Sequence, residues 1–233
     1  MIKKIFIGGH YSSGSRVIQY LLEQTHNIYN TNIQKDYELG FSDRDNTFVE
    51  KYLRKENPEW EGEIEPPFSI KNPDLMLAIP QIRKLFPQAK FILVVRHGID
   101  QVLCENRCMI GRFEKFFRMK QKGYFEREME FWNKAYKKAI KDRPDMIVRL
   151  EDLVYNTKKT VEILRAFLKI SYPNTSMIKK PASMGSYKDF GVLDKRYASS
   201  GCMIPPGLEY NQNVKEKLYK IGEDMMRYFN YAI

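Results

Sequence analysis

The sequence predicts an α/β fold in which a mainly parallel sheet is flanked by helices. Short apolar stretches alternate along the chain with longer stretches of helical periodicity. One apolar stretch, the run FILVV at residues 91–95, is continuous, which is typical of a strand buried on both faces. A chain of 233 residues with 43% hydrophobic residues can bury one substantial core, so residues 1–233 are expected to form a single domain.

Each element is predicted from its local pattern. Strands are expected where a few apolar residues stand between turn residues, at 2–8, 27–32, 68–71, 90–96 and 146–150. Helices are expected where apolar residues recur at intervals of three and four, at 15–25, 73–86, 99–109, 124–141, 157–168 and 214–228. The acidic, proline-rich stretch 57–67 is predicted to be a surface connection. The stretch 171–208, rich in Gly, Ser and Pro, is predicted to be an irregular lid over a ligand.

Composition narrows the class of protein. The net charge of +10 suits an anionic ligand, nucleic acid or an acidic surface. Lys and Arg are spread along the chain without an RNA-binding or zinc-finger signature, so no nucleic-acid partner is expected. Cys104, Cys108 and Cys202 form neither an even disulfide set nor a paired metal pattern, which predicts a reducing, cytoplasmic location and no metal site. No apolar run reaches the length of a transmembrane segment, and no pattern indicates an oligomeric state.

The turn after the first strand is predicted to bind phosphate. Residues 8–16 read GGHYSSGSR, in which the glycines allow tight curvature and the backbone N–H groups converge at the start of a helix. The spacing from Gly9 to Gly14 is similar to the nucleotide triphosphatase loop G-x-x-x-x-G-K-S/T, which predicts a P-loop nucleotide-binding-like fold. Ser15 stands where that loop has its Lys, which argues against an ordinary ATPase or GTPase.

Two basic residues follow other predicted strands. Lys71 ends the strand at 68–71, and Arg96 follows the apolar run at 91–95. Ligands of open α/β sheets bind beyond the carboxyl ends of the strands, so both residues are expected near the turn. Pairing of Arg96 with Asp100, near the start of the next helix, is the structural alternative.

At this point the chain resembles the sulfotransferases that use 3′-phosphoadenosine 5′-phosphosulfate (PAPS). Ser13-Gly14-Ser15 is similar to the core of the family's loop K/R-S-G-T/S-T for the 5′-phosphosulfate. Arg96 through Cys104 resembles the 3′-phosphate motif R-x-P-x-D-x-x-x-S. The segments 71–73, 86–92 and 148–153 resemble, in order, K-x-P, F-P-x-A-K-F-I and R-Y-E-D-L. The resemblance extends over nearly the whole length of the chain and rests on motifs in the right order.

The chain also departs from the family pattern. Ser12 occupies the position of the loop's Lys or Arg, and Arg16 replaces its final Thr, so the cation is displaced into the first helical turn. Gly98 replaces the Pro of the 3′-phosphate motif, and Cys104 replaces its Ser, although a thiol is a poorer hydrogen-bond donor than a hydroxyl. Leu150 replaces the Tyr of R-Y-E-D-L and is interpreted as a core residue.

The resemblance implies transfer of a sulfuryl group from PAPS, with 3′-phosphoadenosine 5′-phosphate (PAP) as the product and no metal. Lys71 or Arg16 is expected to neutralise the leaving group, and Arg96 to pair with the 3′-phosphate. A late loop containing Lys188 is expected to close over the nucleotide. The resemblance thus assigns donor binding to Ser12, Ser13, Gly14, Ser15, Arg16, Arg96, Cys104 and Lys188.

The general base and the acceptor are less defined. Lys71-Asn72-Pro73 lacks the His that some of these enzymes carry in a K-x-H element, so we favour Asp43 as the base, ahead of Asp45, Glu38 and His10. The acceptor is expected to be a hydroxyl or amine of a small molecule, glycan or peptide. Aromatic residues at 113–132 form either a sugar or phenol site or part of the core. Two other functions are considered: a P-loop kinase of a nucleoside or small molecule, and a sulfotransferase-like binding protein without catalysis.

Overall fold

The computed structural model describes residues 4–10, 13–23, 29–31, 68–105, 123–169 and 212–231. Within them, five strands form one sheet in the order β2-β3-β1-β4-β5, and every neighbouring pair is parallel. The strands are β1 (Lys4–Gly8), β2 (Tyr29–Thr31), β3 (Phe68–Lys71), β4 (Lys90–Val95) and β5 (Met146–Arg149). The predicted α/β class with a parallel sheet is confirmed.

Helices cover both faces of this sheet. They are α1 (Ser15–Glu23), a 3-10 helix (Pro73–Leu77), α2 (Ile79–Leu85), α3 (Gly98–Glu105), α4 (Tyr124–Lys141), α5 (Leu150–Tyr155), α6 (Thr157–Leu168) and α7 (Gln212–Tyr228). One face packs against α2, α3, α4 and α7, and the other against α1, α5 and α6. Because the helices cover the two faces, the turns that follow the strands lie at the carboxyl edge of the sheet.

Strand β4 shows why its sequence is apolar without interruption. Phe91, Leu93 and Val95 belong to the core under α3, α4 and α7. Ile92 and Val94 belong to the core under α1, α5 and α6. Successive side chains of a strand point to opposite faces, so a strand covered by helices on both sides needs apolar residues at every position. The predicted burial of this strand on both faces is confirmed.

The structure divides one predicted helix and adds one helix that was not predicted. The helix expected at 73–86 is divided at Ala78 into the 3-10 helix and α2. Pro80, in the first turn of α2, has no N–H to donate and its ring would collide with the carbonyl of Met76 in a continuous helix. The strand expected to end at residue 150 ends at Arg149, because Leu150 begins α5, which the sequence reading missed.

Most other bounds agree closely with the expectations. Strand β3 and the helices α4 and α6 have the predicted limits. Helix α1 begins at the predicted Ser15 and extends to Glu23. The connection expected at 57–67 and the lid expected at 171–208 lie outside the described residues.

Candidate functional site

The sheet brings three of the predicted site segments to one edge. Strand β1 lies between β3 and β4, with Ile7 opposite Lys71 and Gly8 opposite Leu93. All three strands are parallel, so the turn after β1 lies between Lys71 at the end of β3 and Arg96 just after β4. The topology therefore brings the turn close to Lys71 and Arg96, two cations that belong to different segments of the sequence.

Glycine allows the turn to leave β1 in close contact with its neighbours. The Gly9 N–H donates to the Pro73 carbonyl at 3.3 Å. A Cβ at Gly9 would lie 2.3 Å from the Val94 carbonyl oxygen, which is backbone and cannot move aside cheaply. The Ser13 N–H then donates to the His10 carbonyl at 3.0 Å, which closes the turn. The backbone at Gly9 is thus held between Pro73 and Val94.

Gly14 makes the entry into α1 possible. Its φ of +91° lies in the left-handed region, which favours glycine. A Cβ at Gly14 would lie 2.6 Å from Leu150 Cδ1, and Leu150 is buried in the core at the start of α5. The interpretation of Leu150 as a core residue is confirmed. Leu150 therefore packs directly against the backbone of the turn.

The Ser13 hydroxyl is buried inside the turn. Ser13 is 0% exposed, and its Oγ has no hydrogen-bond partner among the residues that the structure describes. The same Oγ would lie 2.7 Å from a Cβ at Gly9, so the hydroxyl faces the inner side of the turn. Buried hydroxyls normally have a partner, and an anion at the start of α1 would provide one.

A core tyrosine joins the turn to β4. The Tyr136 hydroxyl accepts from the His10 N–H at 3.2 Å and donates to the Val94 carbonyl at 2.8 Å. Tyr136 is completely buried in α4. The His10 ring is also buried and lies 5.2 Å from the ring of Phe131, which is 39% exposed. One hydroxyl thus fixes the start of the turn relative to the strand that leads to Arg96.

The segment after β4 is held by α5. Arg96 is only 3% exposed. The next residue, His97, donates its backbone N–H to Glu151 Oε1 at 2.9 Å, and its Nδ1 lies 3.9 Å from Asp100 Oδ2. Helix α3 begins at Gly98, with Asp100 in its first turn as predicted. The backbone that carries the Arg96 side chain is therefore anchored at the next residue, His97.

Three residues of this framework were missed in the sequence. Tyr136 has the spacing of an ordinary core residue on a helix, so no local signal distinguished it. Glu151 was noted only as part of the motif at 148–153. Tyr231 lies beyond α7 and donates its hydroxyl to Glu151 Oε2 at 2.8 Å. Burial, and next the charge of Glu151, raise the pKa of Tyr231 above its usual range.

Other predicted site residues are not described. Ser12, Asp43 and Lys188 lie outside the described residues, as do Glu38 and Asp45. Arg16 and Cys104 lie in α1 and α3, but the structure does not describe their side chains. The part of the chain that is described contains no cluster of three His, Cys, Asp or Glu side chains suited to a metal ion. It also contains no helix with the length and apolar character needed to cross a membrane.

The chain matches a known protein family. A model described as the sulfotransferase family matches residues 25–174, which is more than half of the chain. The chain belongs to the sulfotransferase family. The matched region includes Lys71, Arg96 and Glu151 and begins after the turn that follows β1. The resemblance drawn from the sequence motifs is confirmed.

Several solved structures have a similar fold. A sulfotransferase from Alicyclobacillus acidocaldarius has a TM-score of 0.58 at 13% identity, covering 100% of this chain and 98% of that one. A mouse sulfotransferase complexed with PAP has a TM-score of 0.55 at 14% identity, covering 97% of this chain and 85% of that one. A sulfotransferase domain from the curacin biosynthetic pathway has a TM-score of 0.55 at 15% identity, covering 100% and 99%. A search of curated proteins gave no match.

Proposed function

We propose that this sulfotransferase-family protein transfers a sulfuryl group from PAPS to a hydroxyl or amine of a small molecule, glycan or peptide. The observation that carries the proposal is the turn between β1 and α1, flanked by Lys71 on β3 and Arg96 after β4. The complex of the mouse sulfotransferase with PAP supports the choice of donor. The odd number of scattered cysteines supports a cytoplasmic location.

The turn fits the 5′-phosphosulfate end of the donor. Gly9 and Gly14 have no room for a Cβ against the Val94 carbonyl and the Leu150 side chain, so only glycine lets the turn pack this closely on the protein. The buried Ser13 hydroxyl and the N-terminus of α1 at Ser15 would donate to phosphate oxygens. Ser12 and Arg16 belong to the same segment and complete the proposed 5′ site.

The segment after β4 fits the 3′-phosphate end. Arg96 carries a planar guanidinium suited to two parallel hydrogen bonds with a phosphate, and its low exposure would strengthen that ion pair. Cys104 in α3 completes the proposed 3′ site, and Lys188 is proposed to close over the nucleotide. Arg96 and the turn leave neighbouring strands, so one nucleotide would contact both.

The proposed reaction is a direct displacement. The acceptor oxygen or nitrogen forms a bond to sulfur while the bond from sulfur to the 5′-phosphate oxygen breaks, and PAP leaves with the bonding electron pair. The proton of the acceptor passes to a base, for which we propose Asp43. Lys71 and Arg16 would stabilise the charge that develops on the leaving phosphate. The scheme requires no covalent enzyme intermediate and no metal.

Titration by calorimetry tests the donor. We expect PAP to bind more tightly than ATP, whereas preference for ATP or Mg²⁺-dependent ATP turnover would instead indicate a kinase. Incubation with radiolabelled PAPS and a panel of acceptors then tests transfer. PAP binding without transfer to any acceptor would contradict catalysis and indicate a binding protein.

A matched pair of lysine variants tests the role of Lys71. Lys71→Ala should lower the rate of transfer by about 10²–10³-fold, as expected for loss of one group that stabilises developing charge. Lys134→Ala removes the same charge from α4, where the side chain is 78% exposed and lies 3.9 Å from Glu130, and should leave the rate unchanged. Equal rates in the two variants would exclude Lys71 from the reaction.

A further inference from the structure

Both carboxylate oxygens of Glu151 are used to join distant parts of the chain. Oε1 accepts from the backbone N–H of His97 at 2.9 Å, and Oε2 accepts from the Tyr231 hydroxyl at 2.8 Å. The donors are 54 and 80 residues away from Glu151 in the sequence. A single carboxylate at the start of α5 therefore connects the segment after β4 with the segment after α7.

The Tyr231 ring is enclosed by His97 and Arg149. It packs edge-on against the His97 ring at 5.2 Å, and the Arg149 guanidinium lies over it at 4.5 Å. Arg149 Nε is itself 3.7 Å from Asp152 Oδ2. Tyr231 is 6% exposed, and burial together with the Glu151 charge raises its pKa. The hydroxyl therefore keeps its proton and donates to Glu151 throughout the neutral range.

We propose that Tyr231 is a positioning residue for the 3′-phosphate of the donor. Its hydroxyl holds the Glu151 carboxylate, Glu151 holds the His97 N–H, and His97 directly follows Arg96 in the chain. This inference rests on the proposed function, because it takes Arg96 as the residue that binds the 3′-phosphate. Tyr231 and Glu151 themselves contact no ligand in this scheme.

The proposed role of Tyr231 depends on the orientation of the Arg96 guanidinium. A guanidinium makes two parallel hydrogen bonds to a phosphate only when its plane is correctly oriented. Arg96 is almost fully buried, so neighbouring atoms leave its side chain little room to reorient when its backbone shifts. Rotation of the peptide at His97 would turn the Arg96 side chain away from the phosphate. Losing the Tyr231 hydroxyl leaves Glu151 Oε2 without this donor and permits such a rotation.

Selectivity for the 3′-phosphate separates this role from general stabilisation. The affinities of PAP and of adenosine 5′-phosphate, which lacks the 3′-phosphate, are measured by calorimetry for each variant. Tyr231→Phe should weaken PAP binding by about tenfold, as is typical when a supporting hydrogen bond behind a ligand-binding group is lost. Binding of adenosine 5′-phosphate should remain unchanged. Tyr228→Phe deletes the same hydroxyl from a residue that is 51% exposed on α7 and should change neither affinity.

Variants of Glu151 extend the test. Glu151→Gln keeps an oxygen for the His97 N–H and an amide that can donate to the Tyr231 oxygen, so it should retain the preference for PAP. Glu151→Ala removes both contacts and should lower the preference at least as much as Tyr231→Phe. If Tyr231→Phe does not fold, as judged by circular dichroism, this pair carries the test with the same measurement.

Two outcomes would overturn the proposal, and they differ. If wild-type protein binds PAP no more tightly than adenosine 5′-phosphate, the proposed donor is wrong and the positioning role falls with it. If wild-type protein prefers PAP and Tyr231→Phe keeps the full preference, or loses affinity for both nucleotides equally, the positioning role alone is wrong.

Discussion

Replacing Gly14 with Ala would test how tightly the turn is held against α5. The substitution places a Cβ where φ is +91°, a conformation that costs a non-glycine residue roughly 1–2 kcal/mol. The new Cβ would also lie 2.6 Å from Leu150 Cδ1. Leu150 is buried, so relieving that contact means repacking the core, at about 1–3 kcal/mol. Gly14→Ala should therefore lower the free energy of unfolding by about 2–5 kcal/mol.

Gly123 provides a matched control for the backbone contribution. Its φ is +75°, but a Cβ there would meet Arg127 Nη1 only at 3.8 Å, which is ordinary contact. Gly123→Ala should thus cost about 1–2 kcal/mol, and the change in unfolded-chain entropy is common to both variants. The difference between the two variants, about 1–3 kcal/mol, isolates the contact with Leu150.

Urea unfolding followed by circular dichroism measures both variants. Leu150→Ala removes the contacting atom, so in a double-mutant cycle Gly14→Ala should cost less in that background than in the wild type. PAP affinity should fall in Gly14→Ala and stay unchanged in Gly123→Ala. Equal losses of stability at the two glycines, with no coupling to Leu150, would refute the packing of α5 against the turn.

Three further predictions concern Tyr136, Ser13 and Tyr231. Tyr136→Phe removes the hydroxyl that joins His10 to Val94 and should cost about 1–3 kcal/mol in urea unfolding, together with a loss of PAP affinity. An unchanged PAP affinity would show that this bridge does not position the site. Ser13→Ala should leave stability within about 0.5 kcal/mol, because the hydroxyl has no partner in the described part of the chain, yet weaken PAP binding by about tenfold or more. A large loss of stability there would indicate a structural partner instead. The pKa of Tyr231 is raised above 10.0, so its contribution to stability is complete below that pH and declines above it. The stability advantage of wild type over Tyr231→Phe should therefore be constant up to about pH 9 and shrink between about pH 10 and about pH 11. An advantage that stays constant up to about pH 11 would contradict the buried, carboxylate-bound hydroxyl.

The sequence predicted best what local patterns encode. The run at 91–95 predicted a strand covered on both faces because only such a strand needs apolar residues at successive positions. The limits of α4 were also predicted, since its apolar spacing continues over five turns. Helix α5 escaped prediction because its six residues are too few for a periodic signal. Its stability comes from Leu150, Leu153 and Val154, which pack against the core.

The candidate site was likewise predicted only in part by the sequence. The glycines and serines of the turn, Lys71 and Arg96 could be found as candidates from the sequence, because each ends or follows a strand pattern and carries chemistry suited to an anion. The structure adds that β1 lies between β3 and β4, which brings the three segments together. The candidate base, Asp43, lies outside the described residues and stays a prediction.

The sequence alone determined the α/β class and the family, and it indicated the residues that we propose bind an anionic donor, because strand burial and phosphate recognition depend on short runs of neighbouring residues. Only the tertiary structure showed that Tyr136, Glu151 and Tyr231 hold these residues in place. Their hydrogen bonds join positions from 42 to 126 residues apart in the chain, and no local pattern specifies which distant partner a buried hydroxyl or carboxylate will meet.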